Sequence, residues 1–361
     1  MREAFEPARS VEELFGALGA NAVLRSSAPD LWAQTWDKLA YQPNSYAPGM
    51  LSYQQAYFKG AGWDIADASL VLLNDGRPCG LLPLMVRFGE TPSLTTSGAP
   101  IVSPLFIPGT QAGTIKKAGA WLLERLLSAH QGLGLPTMIT EQTILPSEPQ
   151  GLSEWHQQQM AASATVTVLH DVYTDLTLPL ETIRSSIRKS FRPLVSSGRK
   201  LWLEAIADQS TITDALWDEF RSLHIAVAGR VTRSLESWSE QLAMIKKDEA
   251  FFVYLRDPAD QRMVGGGLFQ VTRDECLYAI GAYDRSLFDK PLGHVVQYAA
   301  MEKAIALGLK WTKIGYRPFA ADMPAPSAKE IAIGEFKQGF STHTFPRHVY
   351  THMIKSGGSD V

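Results

Sequence analysis

Cysteine is nearly absent. The 361-residue chain holds only Cys79 and Cys276, with no CxxC or CxxxC spacing, so zinc-ribbon and thioredoxin-type readings fail. So little cysteine in a chain this long fits a reducing compartment. No apolar run reaches 18 residues; the densest stretch, residues 79–86, is strand-length, so no membrane span is expected. The opening MREAFEPARSVEELF lacks an apolar h-region and does not read as a signal peptide. A soluble, cytoplasmic protein is the expectation. An excess of either charge is also missing: 34 Lys plus Arg against 37 Asp plus Glu leave a net charge of −3, which argues against DNA as a partner while allowing one local basic groove. There is no GxSxG, Walker loop, HExxH or GxGxxG, so hydrolase, NTPase and dinucleotide classes lack support.

What is present is an ordinary globular mix, 45% hydrophobic and 20% charged, long enough for two or three domains. Residues 69–73 and 79–88 flank Asn74-Asp75-Gly76-Arg77 and read as a hairpin. Residues 111–130 read as an amphipathic helix stopped by Gly132-Leu133-Gly134, followed by a strand over 137–140. The second half repeats the order. Helices are expected at 213–228 and 237–246, a hairpin at 250–255 and 263–272, then a strand at 276–282, a helix at 293–307 ended by Gly308, and a strand at 310–315. The expected architecture is α/β with mixed sheets in two domains of similar build, residues 1–160 and 161–361, the boundary falling between 144–151 and Pro179.

Strand, glycine-ended loop, helix and strand, here CLYAIGAYDRSLFDKPLGHVVQYAAMEKAIALGLKWTKIGYR, resemble the core of GNAT-fold acyltransferases. Gly265-Gly266-Gly267 is similar to the glycine-bearing strand of that fold. Two such domains in tandem, the first degenerate and the second carrying the active site, resemble the FemAB family of peptidoglycan aminoacyltransferases. The basic stretch IRSSIRKSFRPLVSSGRK, Gly315-Tyr316-Arg317-Pro318 and the late IGEFKQGFS are similar to that family as well. The chain departs from CoA-using enzymes in one respect: Lys290 stands where they carry Arg or Gln, and Val295 where they carry a small residue.

The resemblance implies a site at the end of the strand closing on Tyr283 and Asp284, which splays from its neighbour so that backbone N–H groups face an acyl carbonyl. Tyr283 and Asp284 would orient the amine, and Tyr316 would act as a general acid or cap the core. Gly293 at a helix start, with Lys290 and His294 as further donors, would hold a phosphate or an oxyanion of the donor. Arg184, Arg188 and Arg192 recur every four residues in a stretch without acids, giving one basic helix face that suits phosphates or is merely solvated. Arg188 and Arg192 are placed among substrate-binding residues with His224, Arg230 and Arg233, which lie at or beyond a helix end where the dipole also favours them, and with Arg317 and Lys337. His343, His348 and His352 lie in a β-like segment without an acidic partner, so no metal is expected.

The implied function is transfer of an acyl or aminoacyl group to a primary amine of a cell-envelope or sugar-linked precursor. The donor would be acyl-CoA or aminoacyl-tRNA, with no tightly bound cofactor. The partners would be a small-molecule or glycan-precursor substrate and, in one version, tRNA. An aminoacyl-tRNA-dependent peptidoglycan aminoacyltransferase and a non-catalytic binding protein on a decayed scaffold are the alternatives.

Overall fold

The computed structural model describes residues 8–144 and 153–354. The stretch 144–151, proposed above as one limit of the boundary, lies outside them apart from Ile144. The chain divides into two compact units. One gathers residues up to Ala40, Ser45–Val168 and the chain from Arg347; the other comprises Tyr41–Asn44 and Leu169–Pro346. The last strand therefore counts partly with the first unit, which a single cut near residue 160 does not provide for.

The first unit contains α1 (Val11–Phe15), β1 (Ala22–Leu24), α2 (Pro29–Asp37), α3 (Pro48–Gly60), β2 (Ile65–Asp67), β3 (Leu70–Asn74), β4 (Arg77–Leu82), β5 (Met85–Arg87), β6 (Ser93–Thr95), β7 (Ile101–Val102), β8 (Leu105–Phe106), α4 (Ala112–Gly132), β9 (Thr137–Thr143) and α5 (Glu154–Ala161). The expected hairpin is β3–β4. Asp75 and Gly76 both take positive φ, 49° and 71°, as a two-residue turn matching strand twist demands. The strand expected to continue to residue 88 stops at Leu82, and β5 pairs in a second sheet with β2 and β6. Helix α4 buries Leu122, Leu126 and Ala129 in a core with Leu70, Leu72, Ile101 and Met138.

The long strand β10 (Thr165–Asp175) leads into the second unit. There follow α6 (Leu180–Ser186), α7 (Phe191–Leu201), β11 (Leu203–Ala207), α8 (Asp214–Ala228), α9 (Leu235–Lys246), β12 (Ala250–Arg256), β13 (Met263–Val271), β14 (Glu275–Tyr283), α10 (Leu292–Ala306), β15 (Trp311–Tyr316), α11 (Ala328–Gln338) and β16 (His343–Met353). The strand order is β11-β12-β13-β14-β15-β10. Thr213 caps α8 through Leu216 N–H, and Gly229 ends it at φ 70°. Strand alternation assigns the two faces. Phe251, Val253 and Leu255 join the core with Val295, Val296 and Ala299 of α10, whereas Phe252 packs on Trp217 and Phe220 of α8.

One expectation is corrected here. The single basic helix is two helices, α6 and α7, because Ile187 takes an extended ψ of 135° and breaks the run. Ile183, Ile187 and Phe191 all enter one core with Tyr298, Met301 and Phe340. Pro193 is the third residue of α7, where no helical N–H partner is lost, so the break precedes it. The segment IGEFKQGFS, left without an element above, is mostly α11, opened by a capping box between Ser327 and Glu330.

Candidate active site

The second unit's sheet opens between its two parallel strands. Glu275, Cys276 and Leu277 pair with Trp311, Thr312 and Lys313, and the ladder ends there. From Tyr278 onward β14 pairs only with β13. A register shift opposite Leu268/Phe269 sits at this point of β14, and another between Val172 and Tyr173 faces β15 beyond Lys313. Bulges of this kind bend the strands that carry them. The split leaves backbone polar groups of β14 without sheet partners, and Tyr283 closes the strand beside it.

Helix α11 is the hub that brings the predicted residues together. A Cβ at Gly293 would lie 3.2 Å from Phe336 Cζ and 3.6 Å from Tyr283 Cζ. His294 packs edge-on against Phe336 and Phe191, with centroids 5.2 and 4.6 Å apart. Arg188 lies over the Phe191 ring at 4.9 Å and donates to the Glu335 carbonyl at 2.9 Å. Arg317 donates to Gln338 Oε1 at 2.8 Å and stacks on Phe319. Lys337 lies across Gly315 of β15. That glycine has φ 139°, and a Cβ there would stand 2.6 Å from Lys337 Nζ. Lys337 forms no ion pair among the described residues. Burial pushes its pKa down, with only Asp171 opposing that from nearby, and Asp171 itself pairs with Lys313 at 3.1 Å.

Several predicted roles change. Around the start of α10, Gly293 and His294 are half-buried and Lys290 is exposed. Helix α7 packs against one side of the start of α10, where Gly198 abuts Val295 and the Pro291 carbonyl. His294 is neutral in its aromatic surroundings, its pKa pushed down to about 4 by burial. Lys290 is exposed and reaches the Trp202 ring at 5.6 Å. Asp284 is not a free base: one oxygen accepts from Ser286 N–H and Oγ–H, the other from Arg262 at 2.7 Å, and these bonds hold its pKa down. Tyr316 donates to Asp322 at 2.7 Å. Arg192 is a helix cap, its Nε on the Ile187 carbonyl at 3.0 Å and its Nη2 on the Ser185 carbonyl. It helps line a cleft of about 220 Å³ with Arg184, Arg199, Tyr298 and Glu302.

His224, Arg230 and Arg233 belong to the opposite face of the sheet, on and after α8. Arg233 lies 3.0 Å from His224 Nε2, and both meet the Trp238 ring. Burial and then the Arg233 charge push the His224 pKa down to about 4. Arg230 is exposed. In the first unit, His348 packs on His156, and His352 bonds Gln159 at 2.6 Å. Phe336, Gly315 and Tyr278 stand inside motifs that carry the resemblance, but the sequence assigns none of them a role of its own. The capping box before α11 was the available signal for the first.

No family model matches the sequence, and no curated protein matches it. Solved structures do. A FemX structure aligns at TM-score 0.63 and 11% identity over 92% of this chain and 96% of its own. The C-terminal domain of a putative lysylphosphatidylglycerol synthetase from Agrobacterium fabrum aligns at 0.55 and 14%, covering 92% and 93%. A tandem GNAT protein from the clavulanic acid biosynthesis pathway aligns at 0.50 and 15%, covering 94% and 99%. The fold is the FemX-like, tandem GNAT fold, with α/β mixed sheets, as the sequence led us to expect.

Proposed function

We propose that the protein transfers an acyl or aminoacyl group from an activated ester to a primary amine of a cell-envelope precursor. The observation that carries this is the Lys337 ammonium laid across Gly315 at the mouth of the strand split, half-buried and without a carboxylate of its own. A cation held this way in a partly desolvated site stabilises the negative charge that develops on a carbonyl oxygen under attack, and unpaired β14 backbone groups add dipoles. The neutral amine attacks the carbonyl carbon, the tetrahedral oxyanion collapses as the C–O or C–S bond breaks, and the proton released by the amine nitrogen ends on the departing alcohol or thiol. Positioning supplies the rest.

An aminoacyl ester of RNA is preferred to acyl-CoA as donor because Lys290 stands where CoA-using enzymes carry Arg or Gln, and Val295 where they carry a small residue. Envelope chemistry is taken from the FemAB resemblance and from the lysylphosphatidylglycerol synthetase likeness. The test offers a mixed pool of radiolabelled aminoacyl-tRNA, or labelled acetyl-CoA, with an extract of nucleotide-linked and lipid-linked envelope precursors. Label should pass from the RNA ester to an amine, and Lys337→Met should abolish the transfer while the protein stays folded. Consumption of acetyl-CoA alone overturns the donor assignment. Transfer from neither donor overturns the function.

A further inference from the structure

The cleft of about 220 Å³ at the α6–α7 break has a partly apolar lining, from Ile187 and Val195, which share a core with Tyr298 of α10. Tyr298 is only 7% exposed, and it lines the cleft. Its hydroxyl makes no hydrogen bond among the described residues. Four charged side chains act on that hydroxyl, Glu302, Arg184, Arg199 and Glu181, and all four line the cleft, so the O–H faces into it. Burial raises the phenol's pKa and keeps it a donor. The arginines differ in what they have left to give. Arg199 is spent on Glu204 and Glu302, which take its Nε and both Nη groups. Arg192 gives Nε and Nη2 to the Ile187 and Ser185 carbonyls and keeps Nη1. Arg184 is exposed and makes no hydrogen bond or ion pair among the described residues. Three unpartnered donors, one each from α6, α7 and α10, therefore line one concave place.

We propose that this cleft is a second binding site, which takes the phosphate of a small phosphate monoester on Arg184, Arg192 Nη1 and the Tyr298 hydroxyl. It stands apart from the transfer reading, because none of these residues is among those placed at the strand split. Phosphate is the class these donors fit. Guanidinium groups bind its oxygens through charge-assisted hydrogen bonds, and a monoester offers three terminal oxygens to three donors where a carboxylate offers two. Two bonds to backbone carbonyls hold the Arg192 guanidinium in place before any ligand arrives, which lowers the ordering cost of binding. Size limits the rest of the ligand. The cleft has room for roughly seven waters at about 30 Å³ each, enough for a phosphate on a three-carbon chain and too little for a nucleotide. Ile187 and Val195 offer that chain an apolar rest. Of the two carboxylates in the lining, Glu302 is held by Arg199, and Glu181 is the opposing charge without an ion pair among the described residues.

The test measures calorimetric binding of glycerol 3-phosphate to the full chain, and the melting temperature with and without it. The wild type should bind with a Kd below about 1 mM, the weak end of the affinity scale, and should melt higher with the ligand. Arg184→Ala and Tyr298→Phe should melt as the wild type does without ligand, and each should bind at least tenfold more weakly, since each removes one donor to a charged group. Glu181→Gln removes an opposing charge and should bind at least as tightly as the wild type. Glycerate, a carboxylate on a chain of similar length, should bind at least tenfold more weakly than the phosphate. A wild type that does not bind, a Tyr298→Phe or Arg184→Ala that binds unchanged, a weakened Glu181→Gln, or glycerate bound equally well overturns the proposal. If Tyr298→Phe fails to fold, Arg184→Ala decides. A protein that transfers nothing can pass this test and one that transfers can fail it, so the two readings fall separately.

Discussion

Glu275 offers a stability test that needs no substrate. It opens β14 fully buried, and its carboxylate accepts the Asn44 N–H at 2.7 Å while the Asn44 amide donates to the Glu275 carbonyl at 3.2 Å. Burial pushes its pKa up from 4.5 to about 7, with Lys313 and Asn44 opposing and Asp171 reinforcing the rise. Between those two values the native state holds a proton that the unfolded chain has lost, so this group's contribution falls as pH rises through the window. The step from 4.5 to about 7, at about 1.36 kcal/mol per pH unit, amounts to roughly 3 kcal/mol. Glu275→Gln keeps an acceptor for Asn44 and removes the titration. Urea unfolding of both proteins between about pH 5 and 8 should show the variant gaining on the wild type as pH rises, by up to that amount. Taking the difference cancels every other titrating group. A difference that stays constant with pH would refute the buried, protonated Glu275 and the reasoning from it.

Gly315→Ala forces an L side chain to φ 139° and drives its Cβ towards Lys337 Nζ; a loss of about 1–3 kcal/mol is expected in denaturant melts, together with loss of transfer. Arg192→Ala removes two charge-assisted bonds to carbonyls at the α6–α7 break and should cost about 1.5–3 kcal/mol, whereas Arg184→Ala should stay within about 0.5 kcal/mol. Equal effects in thermal melts would restore the single solvated stripe. His294 has its pKa lowered to about 4, so its contribution is complete above the unfolded value near 6.5 and is lost as pH falls towards 4. His294→Phe keeps a ring in the aromatic cluster and should flatten that acid limb; an unchanged limb would place the histidine in water.

The local elements of this protein are written in neighbouring residues. Asp75-Gly76 makes the β3–β4 turn because both positions need positive φ, and Thr213 and Gly229 bound α8 because caps act within a few residues. The run from strand to helix to strand at residues 275–316 is legible for the same reason, and with it the fold class. Packing decided the rest. The periodicity of Arg184, Arg188 and Arg192 is genuine in the sequence, yet the chain turns at Ile187, between two helices that send Ile183 and Phe191 into one core, and the stripe is broken. The free-looking Asp284 is claimed by Arg262, and Gly293 at the start of α10 lies against Phe336 of α11, residues distant along the chain. Lys337 finds Gly315 only because a sheet splits and bulges at one place. Contacts of that kind depend on where two elements come to rest against each other, and no short stretch of sequence carries that information.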